Sequence, residues 1–171
     1  MLRQSLLATR KLEVNKPESF AEQFRKLAKS LGVKSIGCYL SFGSEPDTSR
    51  LIELAEQSGI KVYCPNTKNE RELEFIRWSA KQFRTELGFD VPVGDAYTGS
   101  LDLVVVPALA VDPNGFRLGR GGGYFDKYLE NFKGLSVALV FDSELVSALP
   151  LEHHDKAVRY TITPTQTIKH Q

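Results

Sequence analysis

The stretch "LDLVVVPAL", residues 101–109, sets Val104, Val105 and Val106 in one unbroken apolar, β-branched run. A strand with one wet face alternates apolar with polar residues; this one does not, so both of its faces must be covered. A second such run, "LSVALVF" at 135–141, follows a glycine-rich loop and the helix-like segment "YFDKYLENF". Doubly buried strands separated by a helix are the unit of a parallel sheet with helices on its faces. No other pattern in the chain restricts the fold as much.

The remaining segments fit that frame. Leu2 and Leu6, four apart, open a first helix with Arg3 and Arg10 off its apolar side. Phe20, Phe24, Leu27 and Leu31 repeat at helical spacing between Pro17, suited to a first turn, and Gly32, a C-terminal stop. "VKSIGCYL" reads as a strand ending at Leu40 and "SFGSEP" as a loop, after which Asp47 or Thr48 caps a helix running to Gly59. "IKVYC" is a strand broken by Pro65, and "ERELEFIRWSAKQFRTEL" is either a helix or a strand followed by a helix. Residues 66–97 are the least decided part of the chain. "SELVSAL" reads as a short helix and "AVRYTIT" as a last strand. The expectation is an α/β fold: one three-layer α/β/α domain over residues 1–171, built on a mainly parallel sheet.

Charge and cysteine usage narrow the function classes. A formal net charge of +1 over 171 residues provides no global field for nucleic acid or an anionic membrane, so neither is an expected partner and any anion site must be local. No apolar run reaches bilayer length, and "MLRQSLLATRKLEV" lacks the long apolar segment of a secretory signal. That start is basic and nearly acid-free, as presequences and short basic helices both are; a helix of the fold is preferred, because little chain precedes the next element. Cys38 and Cys64 lie in strand-like runs without metal-ligand spacing; buried free thiols are the preferred reading and a single disulfide the alternative. The chain is read as a cytoplasmic monomer.

The chemistry concentrates in "GFRLGRGGGYFDKYL", residues 115–129. Gly119, Gly121, Gly122 and Gly123 precede a helix start, where main-chain N–H groups and the positive helix end converge on anions. Arg117 and Arg120 add guanidinium forks that match phosphate oxygens. The glycines alone would also suit a solvated surface turn; the arginines and the strand-to-helix setting favour a phosphate cradle. No Gly-Lys-Ser/Thr follows, and Tyr124 holds the third glycine place of the dinucleotide fingerprint, so neither standard nucleotide motif applies. Asp126 and Asp155 would suffice for magnesium, which takes one or two carboxylates with phosphate oxygens and water. Taken singly, Asp126 is a favourable helix-start charge and Asp155 a loop acid. His153 and His154 point apart as neighbours and read as surface residues. Phe42, Trp78 and Tyr124 are candidates to stack on a flat heterocycle.

"VPALAVDPNGFRLGRGGGYFDKYL" closely resembles the signature of the 5-formyltetrahydrofolate cyclo-ligases. The likeness extends to the basic N-terminal helix, "YLSFGSEPDT" and "LPLEHHDKAV". It implies Mg2+ and ATP as cofactors and 5-formyltetrahydrofolate as substrate. ATP phosphorylates the formyl oxygen, the 10-nitrogen attacks the activated carbon, and phosphate leaves the 5,10-methenyl product. By the same resemblance, Arg3 and the run Arg117, Leu118, Gly119, Arg120, Gly121, Gly122, Gly123, Tyr124 and Phe125 hold the nucleotide. Arg120 to Tyr124 also border folate, Leu40 and Glu45 hold its pterin, and Asp126 and Asp155 are the magnesium ligands. Arg120 and Tyr124 are the expected catalytic residues. The chain departs from the family pattern at Phe125, usually tyrosine, at Val91, often glutamate, and at Arg159, often aspartate. The family usually has a lysine four residues before the N-terminal arginine; Arg10 or Lys11 is the candidate substitute. A protein that binds nucleotide or folate without turnover, and an ATP-using enzyme for another heterocycle, are the competing readings.

Overall fold

Pro17 and Gly32 do bracket the longest helix: Pro17 lies in its first turn, and Gly32 takes the left-handed conformation (φ 65°) that terminates it. The computed structural model describes residues 2–69, 72–78, 82–84, 90–151 and 155–171. Among these residues the helices are α1 (Leu2–Arg10), α2 (Pro17–Leu31), α3 (Ser49–Gln57) and α4 (Tyr124–Asn131). The strands are β1 (Ser35–Cys38), β2 (Lys61–Asn69), β3 (Glu72–Arg77), β4 (Gln82–Arg84), β5 (Asp90–Pro92), β6 (Leu103–Pro107), β7 (Ala110–Val111), β8 (Arg117–Leu118), β9 (Leu135–Leu139), β10 (Tyr160–Ile162) and β11 (Thr167–Lys169).

Seven of these strands form one sheet in the order β3-β2-β1-β6-β9-β10-β11. Its five central strands are parallel, and the two edges, β3 and β11, are antiparallel. Helices cover both faces, as the doubly apolar strands demand. On one face Phe20, Phe24 and Leu51 of α2 and α3 meet Ile36, Val62, Leu103, Val105 and Leu139. On the other, Leu129 of α4 meets Val104, Val106, Ala138 and Val140. Each such fully buried side chain is worth about 1.5–3 kcal/mol relative to exposure. Gly37 is required on this second face: a Cβ there would lie 2.6 Å from the Phe75 ring. Cys38 and Cys64 are free, buried and on the same face, one residue past the paired positions Gly37 and Tyr63 of the adjacent strands β1 and β2. Three layers and a mainly parallel sheet are therefore the architecture.

Several local expectations are corrected. β1 stops at Cys38 rather than Leu40, because the Tyr39 carbonyl accepts from the Thr48 hydroxyl (2.9 Å) and the chain turns away. The start of α3 divides the two capping candidates: Thr48 occupies the cap position, but it is Asp47 Oδ1 that accepts from Ser49 N (2.7 Å). Pro65 does not end β2. It lies beyond the last β1–β2 pairing, so its missing N–H costs no bond on that side. In the undecided segment the first half is the strand β3, and Gln82–Arg84 is also a strand, paired with β5, rather than helix. "SELVSAL" forms only a 3-10 turn at Asp142–Glu144, since Val146 N then bonds the Val111 carbonyl (3.0 Å) and the chain runs extended. The β7–β8 hairpin and the strand β11 were not anticipated.

The strand order places the candidate site. From β1 the chain crosses to β2 on one side, and it returns to β6 on the other side of β1. Such a reversal opens a crevice beyond the carboxyl ends of the two strands, where open α/β sheets bind ligands.

Candidate active site

A cavity of about 440 Å³ occupies this crevice. Its floor is Tyr39 and Leu40 after β1 and Pro107 and Ala108 at the end of β6, and its roof is the glycine loop. One wall is the loop after β1. Tyr39 Oη donates to the Pro46 carbonyl (2.8 Å), and Asn15 clasps the same loop through the Glu45 carbonyl (2.9 Å) and Asp47 N (3.1 Å). Glu45 is thereby held with its carboxylate turned inward, Oε2 accepting from Phe42 N (2.8 Å) and Oε1 lying 3.2 Å from Arg120 Nε. The opposite wall, Pro65, Asn66, Leu73 and Val91, is largely apolar.

The glycine loop leaves the β7–β8 hairpin and enters α4. Arg117 and Leu118 thus belong to β8 and not to the loop proper, a correction to the strand-loop-helix reading. Leu118 is fixed by its carbonyl, which accepts from Leu109 N (2.7 Å). Gly121 (φ 106°) and Gly123 (φ 68°) adopt left-handed backbone that side chains resist, and Gly123 sits at the cap of α4, which has no side-chain cap. Gly122 serves differently: a Cβ there would meet the Tyr124 ring at 2.9 Å, so its bareness seats that ring against the loop.

A second cavity lies on the other side of the loop, bordered by Arg3, Leu118, Asp126 and Asp155. Arg117, Gly119, Gly121, Gly123 and Asp126 border both cavities, making the loop a shared wall. Arg3 Nε donates to the Gly119 carbonyl (3.1 Å), tying α1 to that wall. Arg117 is not the free fork expected of it. Its side chain is 2% exposed and its Nη2 donates to Asp126 Oδ1 (2.8 Å), while Nε is buried without a hydrogen-bond partner. Burial pushes its pKa down, against the opposing pull of Asp126 and Asp155.

These residues fit a polyphosphate and a divalent cation. An orphaned buried guanidinium N–H beside an uncapped helix start is donor capacity that an anion would satisfy. No cluster of three or more His, Cys, Asp or Glu side chains gathers among the described residues. A cation between Asp126 and Asp155 would therefore complete its shell from phosphate oxygens and water.

Of the expected site residues, Leu40, Glu45, Arg120, Gly122, Tyr124 and Phe125 border the first cavity, Arg3, Leu118 and Asp155 the second, and the rest border both. Phe42 also borders the first cavity; Trp78 lines a separate cavity beside α3. His153 and His154 lie outside the described residues. Arg10 is no substitute for a phosphate-binding lysine. It is buried, with Nε on Glu144 Oε1 (2.5 Å) and Nη2 on the Ala108 carbonyl (2.5 Å) and Glu144 Oε2 (2.6 Å). Tyr39, Asn66, Leu73, Pro107 and Ala108 were missed. Attention to the carboxyl ends of the parallel strands would have found Tyr39, Pro107 and Ala108.

Fold and site together define an α/β protein of the doubly wound class, with a glycine-rich loop roofing the crevice at its switch point. The profile of the 5-formyltetrahydrofolate cyclo-ligase family matches residues 1–164. The 5-formyltetrahydrofolate cyclo-ligase of Mycolicibacterium smegmatis is 30% identical over 88% of this chain and 85% of the relative. That of Escherichia coli is 30% identical over 77% of this chain and 79% of the relative. The solution structure of the Aquifex aeolicus 5,10-methenyltetrahydrofolate synthetase superposes with a TM-score of 0.83 at 22% identity, covering 98% of this chain and 90% of that one, a likeness of fold. The chain belongs to the 5-formyltetrahydrofolate cyclo-ligase family.

Proposed function

We propose that this protein converts 5-formyltetrahydrofolate to 5,10-methenyltetrahydrofolate, consuming ATP and releasing ADP and phosphate. The observation that carries the reading is the pair of cavities sharing the glycine loop as a wall. One side offers a crevice with a buried carboxylate, the other a cavity lined by Arg3, Arg117, Asp126 and Asp155. The pterin lies against Leu40 with its ring N–H groups donated to Glu45, which places the formyl group under the loop. The triphosphate occupies the second cavity, held by the N–H groups of Gly121 to Tyr124 and by Arg3, Arg117 and Arg120. Asp126 and Asp155 would hold a magnesium ion, which would supply charge neutralisation at the phosphoryl group.

The formyl oxygen attacks the terminal phosphorus and ADP departs. The 10-nitrogen then adds to the activated formyl carbon, loses its proton, and the carbon–oxygen bond breaks to release phosphate. The protein contributes positioning and charge rather than a covalent step, as phosphoryl transfer requires. Arg120 is placed to follow charge from the phosphoryl oxygens to the departing phosphate, and Tyr124, seated on Gly122, covers the reacting centre from water. The protein acts as a cytoplasmic monomer formed by one domain over residues 1–171. Mixing the pure protein with Mg-ATP and 5-formyltetrahydrofolate should produce the near-ultraviolet absorption of the methenyl product. ADP release without that absorption would sink the assignment.

A further inference from the structure

The contact between Arg120 and Glu45 joins two residues assigned to different ligands. Arg120 lies in sequence between Gly119 and Gly121, which border both cavities, yet its own side chain lines the folate crevice, with Nε 3.2 Å from Glu45 Oε1. The two ends of the contact are unequal: the Glu45 side chain is 9% exposed and that of Arg120 40%. A carboxylate so buried carries a heavy penalty unless donors surround it, and its fixed donor, Phe42 N, serves only Oε2. Oε1 therefore needs a second donor at all times. Arg120, half in solvent, can be replaced there at little cost to itself.

Resting on the proposed activity, we infer that Glu45 is a latch that withholds Arg120 from the nucleotide until folate arrives. The pterin ring carries N–H donors of the kind Oε1 requires. When they take over Glu45, Arg120 is freed toward the phosphates through the backbone freedom at Gly121 (φ 106°). Folate and nucleotide then strengthen each other's binding through this exchange, because the pair must be broken only once. Glu45 thus has a second role as a selectivity residue. It disfavours transfer of the terminal phosphoryl group to water while the folate crevice is empty.

The exchange is measured by calorimetry on the intact chain, using magnesium and a non-hydrolysable ATP analogue, with and without 5-formyltetrahydrofolate. Saturating folate should tighten nucleotide binding roughly two- to tenfold, the range for a partly exposed charged contact. Linkage requires the nucleotide to tighten folate by the same factor. Glu45→Gln, which keeps the shape and removes the charge, should bind the analogue more tightly than wild type without folate, by a similar factor. It should also hydrolyse ATP faster in the absence of folate. In an Arg120→Ala background the Glu45→Gln gain should vanish.

A nucleotide affinity indifferent to folate in the wild type overturns the latch, and that measurement needs no variant to fold. A folded Glu45→Gln protein that binds the analogue no better than wild type overturns it equally. Methenyl product formed with no coupling would remove this inference and leave the activity standing. Coupled binding without product would do the reverse.

Discussion

Glu45 holds a charge where the surroundings resist it. Burial pushes its carboxyl above the ordinary 4.5, and the Phe42 N–H, Arg120 and Arg10 pull it back only in part. Its folded pKa lies above the unfolded one, so the stability it contributes is complete below 4.5 and is lost as pH rises through the raised value. Function runs the opposite way, since the ionised form accepts the pterin N–H groups. Folate affinity should therefore weaken on acidification at a pH higher than an ordinary glutamate would set. Calorimetric folate titrations between about pH 5 and pH 7 check this, and Glu45→Gln should flatten the profile. A wild-type profile as flat as that of the variant would remove Glu45 from the folate contact. The sequence reached this residue through resemblance and its place after a strand. Its inward turn depends on the Tyr39 contact within the loop and on Asn15, whose contact joins a part of the chain thirty residues away and leaves no local signal.

Between elements, a buried polar tie joins Arg10, at the end of α1, to Glu144, in the turn after β9. Arg10 also reaches the Ala108 carbonyl and lies 5.8 Å over the Phe141 ring, so one side chain fastens α1 to two strand ends. Arg10→Met leaves a buried carboxylate unpaired and should cost about 3–5 kcal/mol in urea unfolding. Adding Glu144→Leu should recover most of that, short of about 1 kcal/mol for the Phe141 N–H that Glu144 also satisfies. Full additivity of the two losses would mean that they do not act as a pair. Both variants should also loosen α1, which carries Arg3 to the Gly119 carbonyl, and so weaken nucleotide binding. The same pair explains a misread element. "SELVSAL" has helical composition, but Glu144 is drawn inward to Arg10, and the following residues pair with Val111. In the segment that read as either helix or strand, Glu72–Arg77 instead pairs antiparallel with β2 at the sheet edge, its apolar Phe75 and Leu73 packing with Tyr63 and α4.

For the whole molecule, the continuous apolar runs at β6 and β9 made the parallel sheet and its two helical layers legible, because coverage of both faces is written in composition alone. The edges were not legible. β3 and β11 are short antiparallel additions whose pairing depends on turns, and no periodicity distinguishes them from loop. The glycine loop was legible as a feature at a helix start beside a cavity, since its glycines and arginines carry their physics locally. Its role as a partition between two cavities emerged only from the fold. One further consequence follows from the two thiols side by side on β1 and β2. Burial pushes both far from ionisation, so a soluble disulfide reagent finds no thiolate to attack while the sheet is closed. Their labelling rate is then a clock for rupture of the molecule's centre, readable without denaturing the sample. Nucleotide at about a hundred times its dissociation constant should slow that clock about a hundredfold, if rupture destroys the binding site as well. A slow rate that ignores nucleotide would instead mean that β1 and β2 can part while the glycine loop keeps its hold.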